Sequence, residues 1–568
     1  MCGFYLGDLQ PDPLDVQYLD TTRVTSNFFF SQVSTTFLPG RPRFFLASLT
    51  WTTCMCRSAS STQQASPAAE KPTDGAYHRA LTEAAEIFRL GWPQTVSSVT
   101  SFSPRLFLLA AVGHLPNGAL LVGAAGIGSM YANFSQLMLI RSSTFGATPL
   151  FSQAFGAGNH HRVGMVLMRV LAIHVVMALC LSLPLTMIAG PLLAAVGQPA
   201  ALAAHAQTFV AVRLLGLPGV VVIADVSTFL NAQRCVRLPM MINIAGSLVQ
   251  VVLCFGLTRA LGFVGAPLAM TAVELLQGMM LLMAAPVILK RNRLRSWPRW
   301  CSEARQALRG WGEIGSRGGP AAVMVTSEWF GWEVSLFIAS GLCGGQEPCA
   351  AIEAIPLCTT VFVCQFIVIF GVPLATSIRV GNLLGEGRGA DARYCAKVAW
   401  VMTFVGAVSL ATLILCFRER IGSLFVDDEE IIWHLTRLMP ITTVYSVLAS
   451  LAPGWSQQVL FGLGARLRIP AAINFVSFFV VGLPVGSLLA YQTDLGAPGL
   501  WLGLVLAMVL IIAGQYTYIA TTIDWADAAR VARERALGKD KGGANCQHAE
   551  TDVQGLAAAD SAKATFEL

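Results

Sequence analysis

The feature that most constrains this chain is a series of long apolar stretches between about residues 87 and 522. Each is at least as long as the roughly 20 residues that an α-helix needs to cross a bilayer. Only 12% of all residues are charged, against about 25% in soluble domains, so most of the surface cannot face water. The stretches predict transmembrane helices near residues 87–114, 119–150, 163–189, 207–232, 238–259, 263–288, 314–341, 351–380, 396–417, 432–463, 469–491 and 496–522.

The predicted fold is therefore an all-α polytopic membrane protein with twelve transmembrane helices. Its flanks differ in composition from this core. We expect residues 1–76 to form a disordered N-terminal extension, because a polar, low-hydrophobicity run leads into the first helix. Residues 524–568 turn polar again and predict a solvated cytoplasmic tail. So few charges argue against a nucleic-acid partner.

The basic residues indicate how the helices are oriented. Alternate loops are rich in arginine and lysine, and loops with this bias face the cytoplasm. With twelve helices, both termini then lie inside the cell. The basic loops hold Arg162, Arg234, Arg237, Lys290, Arg291, Arg293, Arg295, Arg299, Arg305, Arg309, Arg388, Arg393, Lys397, Arg466 and Arg468.

An internal repeat divides the chain into two halves. Pro239 and Asn243 of a Pro-x-x-x-Asn motif return as Pro470 and Asn474, and positions 239 and 470 differ by 231. Gly-Ala-Pro at 265–267 returns at 496–498, and Gly-x-Gly at 156–158 returns at 385–387. Six predicted helices separate the copies, so the halves have the same orientation. We expect halves 77–300 and 301–523 to surround a central cavity.

Three motifs resemble those of a known family. The run Glu-Trp-Phe-Gly-Trp-Glu lies at 328–333, and the run from Pro373 to Gly385 follows on the next predicted helix. The first half holds a glutamine motif at 151–159. Over roughly residues 85–522 the chain resembles the multidrug and toxic compound extrusion (MATE) family, in its eukaryotic branch. The resemblance implies a twelve-helix antiporter that exchanges cytosolic organic compounds, often cationic, for protons or sodium.

Glu328 is the leading candidate for the site. It lies about 14 residues into a predicted span, roughly 21 Å along the helix, where a carboxylate is costly and indicates function. Burial favours the neutral form of a carboxyl group, so a proton and an organic cation can compete for it. The resemblance implies that this glutamate is the proton and cation site. The alternative is a glutamate satisfied by a neighbouring helix.

Further candidates surround this acid or match family positions. Glu333 either shapes the site or faces an outer vestibule. Trp329 and Trp332 either attract organic cations through their rings or anchor the helix at the interface. The resemblance implies that Asn133 faces the cavity, where it binds substrate or holds two helices together. It also adds Gln153, and Thr360 where animal members have an acid, to the candidate substrate or proton site.

Other family positions have more structural interpretations. Arg379, Gly381 and Asn382 end a predicted helix and are expected to fix the inside loop rather than bind substrate. Relatives have further acids where this chain has Ser450 and Thr148. Their replacement leaves Glu328 as the main acid. It weakens a sodium-coupled interpretation, because sodium needs several oxygen ligands, and also a preference for dications.

The sequence therefore predicts a proton-coupled exporter of cationic or amphipathic organic compounds, a non-enzyme that needs a proton gradient and no cofactor. Expected partners are a small organic substrate, the proton and the lipid bilayer, for a monomer in the plasma membrane or a vacuolar or vesicular membrane. Alternatives are a sodium-coupled exporter and a lipid-linked oligosaccharide flippase. Asp225 pairs either with Arg213 or with another helix. Open questions remain for Glu274, for Arg141 and for pairing of Cys343 with Cys349.

Overall fold

In a computed structural model, the protein is described at residues 72–102, 104–342, 350–425, 428–493 and 495–538. Residues 1–71, 539–568 and the loop with Cys343 and Cys349 lie outside this description. All regular elements in the described part are helical. The long helical runs are α1 (Pro72–Phe102, continued by Pro104–Gly113), α2 (118–156), α3 (His160–Met187), α4 (Ala200–Leu214 and Leu217–Ala232), α5 (Arg237–Leu261), α6 (Gly265–Arg291), α7 (Trp311–Ser340), α8 (Ala350–Gly385), α9 (Gly389–Cys416), α10 (Glu429–Leu463), α11 (Arg468–Gln492) and α12 (Ala497–Thr522).

These runs agree with the predicted all-α membrane fold. In the described part, eight segments are long and apolar enough to span a membrane, and the two pieces of α4, bent by 52°, make a ninth. One segment, Arg237–Arg291, contains both α5 and α6, which turn at Gly262 with a φ of 65°. Twelve predicted spans are consistent with this architecture. Helices α2 and α7 are not among these eight, which are selected by length and hydropathy alone.

The two halves meet through matching helix pairs, α1 against α8 and α2 against α7. Glycines permit both contacts. A Cβ on Gly91 would lie 2.9 Å from the Gly371 carbonyl oxygen, and one on Gly146 would lie 2.5 Å from the Gly318 Cα. Side chains at these positions would force the helices apart, since real Cβ atoms essentially never approach so closely.

The repeated asparagines have matching environments. Asn243 on α5 donates a hydrogen bond to the Ser97 hydroxyl on α1 and accepts one from Gln277 on α6. Asn474 on α11 donates to the Met324 carbonyl on α7 at 3.4 Å and accepts one from a glutamine of α12 at 2.7 Å. In each half the fifth helix is thereby joined to the first and the sixth. Pro239 and Pro470 lie one turn earlier, near the start of their helices.

The hydrogen bonds and ion pairs that join the halves concentrate at one end, here called the basic end because it holds the arginine-rich loops. Glu83 of α1 and Arg379 of α8 form a two-point ion pair with both distances at 3.0 Å. Gln153 of α2 donates to the carbonyls of Gly462 and Leu463 on α10, each at 3.1 Å. Charged and amide side chains therefore close the bundle at this end.

The glycine motifs of the repeat also meet at the basic end. A Cβ on Gly156 would lie 2.0 Å from the Asn382 carbonyl oxygen, and one on Gly385 would lie 2.1 Å from that of Gln153. Gly381 likewise lies against Ser152. The Asn382 amide nitrogen is placed to donate to the Ser152 carbonyl at 2.9 Å. These contacts give Gly381 and Asn382 a place in the seam between the halves, and their structural rather than substrate-binding role remains a prediction.

The region after α12 departs from the sequence prediction. Instead of a wholly solvated tail, Trp525–Ala536 forms a helix, α13, with Ala529, Ala532 and Ala536 buried. Arg535 of α13 donates to Gln153 at 3.1 Å, and Asn159 donates to the Ala536 carbonyl at 2.9 Å. The physical reason is the alanine face, which packs under both halves while charged residues stay outside. At the other terminus, α1 already begins at Pro72, so residues 72–76 are helical.

Candidate functional site

Glu328 lies near the middle of α7, at the level where the halves still touch. Two residues on, Phe330 makes an edge-on contact with Phe134 of α2, with ring centroids 5.6 Å apart. The Glu328 side chain is half-buried. Within the described residues its carboxylate makes no hydrogen bond and no ion pair. A half-buried acid without a cation beside it is free to bind a proton or a positively charged ligand.

An aromatic cluster borders this acid inside the second half. The indole Nε1 of Trp332 donates to the Tyr445 hydroxyl at 2.5 Å, and Tyr445 lies within electrostatic range of Glu328. The Trp332 ring lies 4.2 Å from Phe362 and 6.2 Å from Trp501, measured between centroids. The cluster provides an apolar wall with polarisable faces next to the carboxylate.

A small pocket continues from this cluster. It is lined in part by Trp332, Ser335, Thr359 and Trp501. Ser335 lies two turns beyond Glu328 on α7, away from the basic end. Trp332 therefore faces the interior of its half, and its role in binding remains a prediction.

Glu333 and Trp329 occupy other faces of α7. Glu333 is half-buried and, within the described residues, has no hydrogen-bond or ion-pair partner. Trp329 remains 39% exposed, so its ring is not part of the interior cluster. Roles for these two side chains in binding remain predictions.

In the first half, Asn133 lies where α2 changes its winding. A π-helical turn runs over Asn133–Met138, and such turns occur frequently at functional sites. The Asn133 side chain is half-buried, one residue before the Phe134 ring that contacts Phe330. This position is close to the contact between halves, and substrate binding by Asn133 remains a prediction.

Two predicted site residues lie elsewhere. Gln153 is at the basic end, where its amide bonds to α10 and α13, because its motif forms the seam between the halves. Thr360 donates to the Pro356 carbonyl of its own helix at 2.9 Å, whereas its neighbour Thr359 lines the pocket. The structure does not bring Gln153 to Glu328, and a role for Thr360 in binding remains a prediction.

The first half contains buried charges that the sequence did not pair. Arg213 on α4 binds Glu274 on α6 through two contacts of 2.5 and 2.8 Å. Asp225 therefore does not pair with Arg213. Its carboxylate is hydrogen-bonded to Nδ1 of His174 on α3, at 2.8 Å. The expectation of a pair with another helix is the one the geometry favours.

The same network includes two hydroxyl groups of α2. Ser143 lies 2.6 Å from the His174 Nε2, and Thr144 donates to Asp225 at 3.0 Å. Ser143, His174 and Asp225 have the order of a hydrolase triad, yet all three are buried, so the serine offers no access for a substrate. Sequence spacing gave no signal for this grouping.

Comparison with known proteins places the chain in a family. The MatE family model matches residues 93–255 and 320–488, once in each half. Multidrug and toxin extrusion protein 2 of Oryctolagus cuniculus is 26% identical over 457 residues, which cover 80% of this chain and 73% of that protein. Protein DETOXIFICATION 51 of Arabidopsis thaliana is 26% identical over 466 residues, covering 80% of this chain and 83% of that protein.

Solved structures show the same fold. The eukaryotic MATE transporter AtDTX14 superposes with a TM-score of 0.71 at 22% identity, covering 80% of this chain and 99% of that one. An outward-facing multidrug resistance MATE family transporter gives a TM-score of 0.66 at 18% identity, with 80% and 96% covered. The two segments that the family model matches, 93–255 and 320–488, lie on helices α1 to α5 and α7 to α11. The chain belongs to the MatE family and is an integral, multi-pass membrane transporter.

Proposed function

We propose that the protein is an antiporter that exports organic cations or amphipathic compounds in exchange for protons, with Glu328 as the shared binding group. The observation that carries the proposal is a mid-span carboxylate without a described partner, beside the wall of Trp332 and Tyr445. A neutral, protonated Glu328 releases a cation, and its deprotonation restores the attraction. Competition between the proton and the organic cation for this one carboxylate is sufficient to couple proton entry to cation export.

The closed basic end supports an orientation. Basic loops face the cytoplasm, so α13 and both termini are assigned to that side. The ion pair of Glu83 with Arg379 and the glycine seam then close the cytoplasmic entrance, and the structure corresponds to an outward-facing state. Release of substrate outward and entry of protons from outside are the steps this state serves.

Protons are favoured over sodium because of the surroundings of Glu328. A proton needs one acidic group, whereas sodium needs several oxygen ligands in a shell. Neither Glu333 nor any other described acid forms a bond with Glu328. The flippase alternative requires a predominantly cationic cavity, and the two free acids of α7 oppose it.

The test is transport in proteoliposomes under separate proton and sodium gradients, with ethidium as the organic cation. The wild type should accumulate ethidium when a proton gradient is imposed, and Glu328→Gln should lose at least about tenfold of that rate, because the amide cannot take up and release the proton. Full exchange by Glu328→Gln would overturn the assignment.

The matched control is Glu333→Gln, which makes the same change five residues along the same helix. It should retain most of the proton-driven rate. A sodium gradient that drives ethidium as well as the proton gradient does would replace proton coupling with the sodium alternative. Size-exclusion profiles of both variants check that they remain folded.

A further inference from the structure

Arg141 of α2 is the most unusual charge in the first half. It lies three residues after the π-helical turn, and its side chain is exposed although its sequence neighbours are buried. Within the described residues its guanidinium makes no hydrogen bond and no ion pair. A guanidinium stays charged in proteins, and a charge at membrane depth is costly enough to indicate function.

Contacts on either side show where Arg141 points. Phe134, two turns earlier, contacts Phe330 of α7, and Phe145, one turn later, stacks on Phe461 of α10 with centroids 5.6 Å apart. On the adjoining face, Leu137 and Ile140 pack against α4. Arg141 lies between the face toward the second half and the face toward α4. Its side chain is therefore directed to the space between α2 and the second half, beyond the contacts at the basic end, rather than to lipid. This space is here called the cleft.

The pairing of α2 with α7 fixes its level relative to Glu328. Gly146 of α2 lies opposite Gly318 of α7, and Phe134 lies opposite Phe330. From the first contact to the second is twelve residues on each helix, backward along the chain on α2 and forward on α7. Arg141 is therefore level with position 323, five residues before Glu328. At 1.5 Å per residue, the guanidinium is attached roughly 7 Å nearer the basic end than the carboxylate.

The charges near Arg141 leave it uncompensated. It lies within electrostatic range of both Arg213 and Glu274. These two already neutralise each other through a two-point ion pair, with the shorter contact at 2.5 Å. The three groups together carry one net positive charge. An anionic ligand group in the cleft would supply the missing partner.

We propose that Arg141 is the binding group for a carboxylate on the transported compound, so that the cleft accepts zwitterionic organic molecules, with the anion toward the first half and the ammonium toward Glu328. This proposal rests on the proposed function for the role of Glu328. The planar guanidinium fork matches a carboxylate through two parallel hydrogen bonds. The ligand class follows from one cationic and one acidic side chain, offset along the same cleft.

Equilibrium binding to the purified full chain tests this without any gradient. The probes are para-(aminopropyl)benzoate, which is a zwitterion, its methyl ester, which is only a cation, and its N-acetyl derivative, which is only an anion. The wild type should bind the zwitterion more tightly than the ester. Arg141→Gln should lose roughly tenfold of that preference while binding of the ester is unchanged, because charge-assisted hydrogen bonds are lost for the carboxylate alone.

Controls separate the two proposals. Arg141→Lys keeps the charge and should keep part of the preference, whereas Arg259→Gln, at an exposed arginine of α5, should keep all of it. The Arg141 site is overturned if the wild-type protein binds the zwitterion no better than the ester. It is also overturned if the wild-type protein binds none of the three probes. An unchanged preference in folded Arg141→Gln overturns it too. Failure of Glu328→Gln to alter proton-driven ethidium exchange overturns only the coupling site.

Discussion

The two halves of this transporter share one fold but treat their buried ionisable groups differently. In the first half, Arg213 with Glu274 and His174 with Asp225 form bonded pairs between helices. In the second half, Glu328 and Glu333 have no partner within the described residues. Repetition of the chain reproduces glycines, prolines and asparagines that hold helices together, but not the acids. Symmetry here belongs to the scaffold and not to the chemistry.

This difference has an energetic basis. A buried charge that is bonded to its counterpart is satisfied in every state in which those helices stay together, so it stabilises one half as a unit. A charge left without a counterpart keeps its desolvation cost until a ligand or proton arrives. Paired charges therefore suit the rigid body of a half, and an unpaired charge such as Glu328 suits an exchange site.

The largest effect expected from breaking this pattern is at Glu274. Glu274→Gln leaves the buried Arg213 without its counter-charge, and we expect a loss of about 3 kcal/mol in the free energy of unfolding. Glu328→Gln makes the same change without orphaning a partner and should cost less than about 1 kcal/mol. Denaturation of the purified variants measures both. Equal losses at the two positions would remove the distinction between the halves.

A smaller loss is expected at Asp225. Asp225→Asn weakens the bonds to His174 and Thr144, and a cost of about 2 kcal/mol is expected for a disturbed buried network. Asp391→Asn is the control, since its ion pairs with Arg79 and Arg388 are partly exposed at the basic end and should contribute about 0.5 kcal/mol. The free energies of unfolding of the two variants, measured under the same conditions, test this difference. If Asp391→Asn proves the more harmful, the first-half network is not a stabilising unit.

The smallest expected effect concerns the glycines at the basic end, where the two halves have matching contacts. Gly385→Ala places a methyl group against the Gln153 backbone, and Gly156→Ala does the same against Asn382. Each should cost at least about 1 kcal/mol, because the added methyl group meets backbone, and should favour separation of the halves at the basic end. Spin labels at Arg293 and Arg466 would report a longer distance between the halves in both variants.

Gly315→Ala is the control for these two glycines, because nothing lies within 4 Å of a Cβ at that position. It should leave the label distance unchanged. A shift for only one of Gly156→Ala and Gly385→Ala would show that the seam is not equivalent on its two sides.

Much of the fold followed from local pattern. Apolar runs of spanning length predicted the helices, and the repeat of Asn243 as Asn474 indicated two similar halves with the same orientation. Glu328 was found because a carboxylate within a long apolar run is conspicuous. These features depend on residues close in sequence or on a regular offset.

The features that the sequence did not predict depend on contacts between segments that are distant in the chain. Arg213 and Glu274 are 61 residues apart, and the bend of α4 lies between them, so no spacing rule joins them. Helix α13 was missed because its fully buried residues are all alanines within a charged segment. The side of α8 that faces the pocket was not predictable either, because α8 is apolar nearly all round and one residue turns a helix by about 100°.

The seam at the basic end has a consequence for the origin of the chain. Positions 153 and 156 correspond to 382 and 385 by the same offset of 229, and each pair contacts the other: Gln153 lies against Gly385, and Asn382 against Gly156. Such reciprocity is the property of an isologous surface, in which one patch is complementary to its own copy. A single half that carried this patch could already have associated as a two-fold dimer, so gene duplication and fusion would have preserved the closure rather than invented it. Two copies within one chain are free to differ, which is the condition for having Glu328 on one side of the cleft and Arg141 on the other.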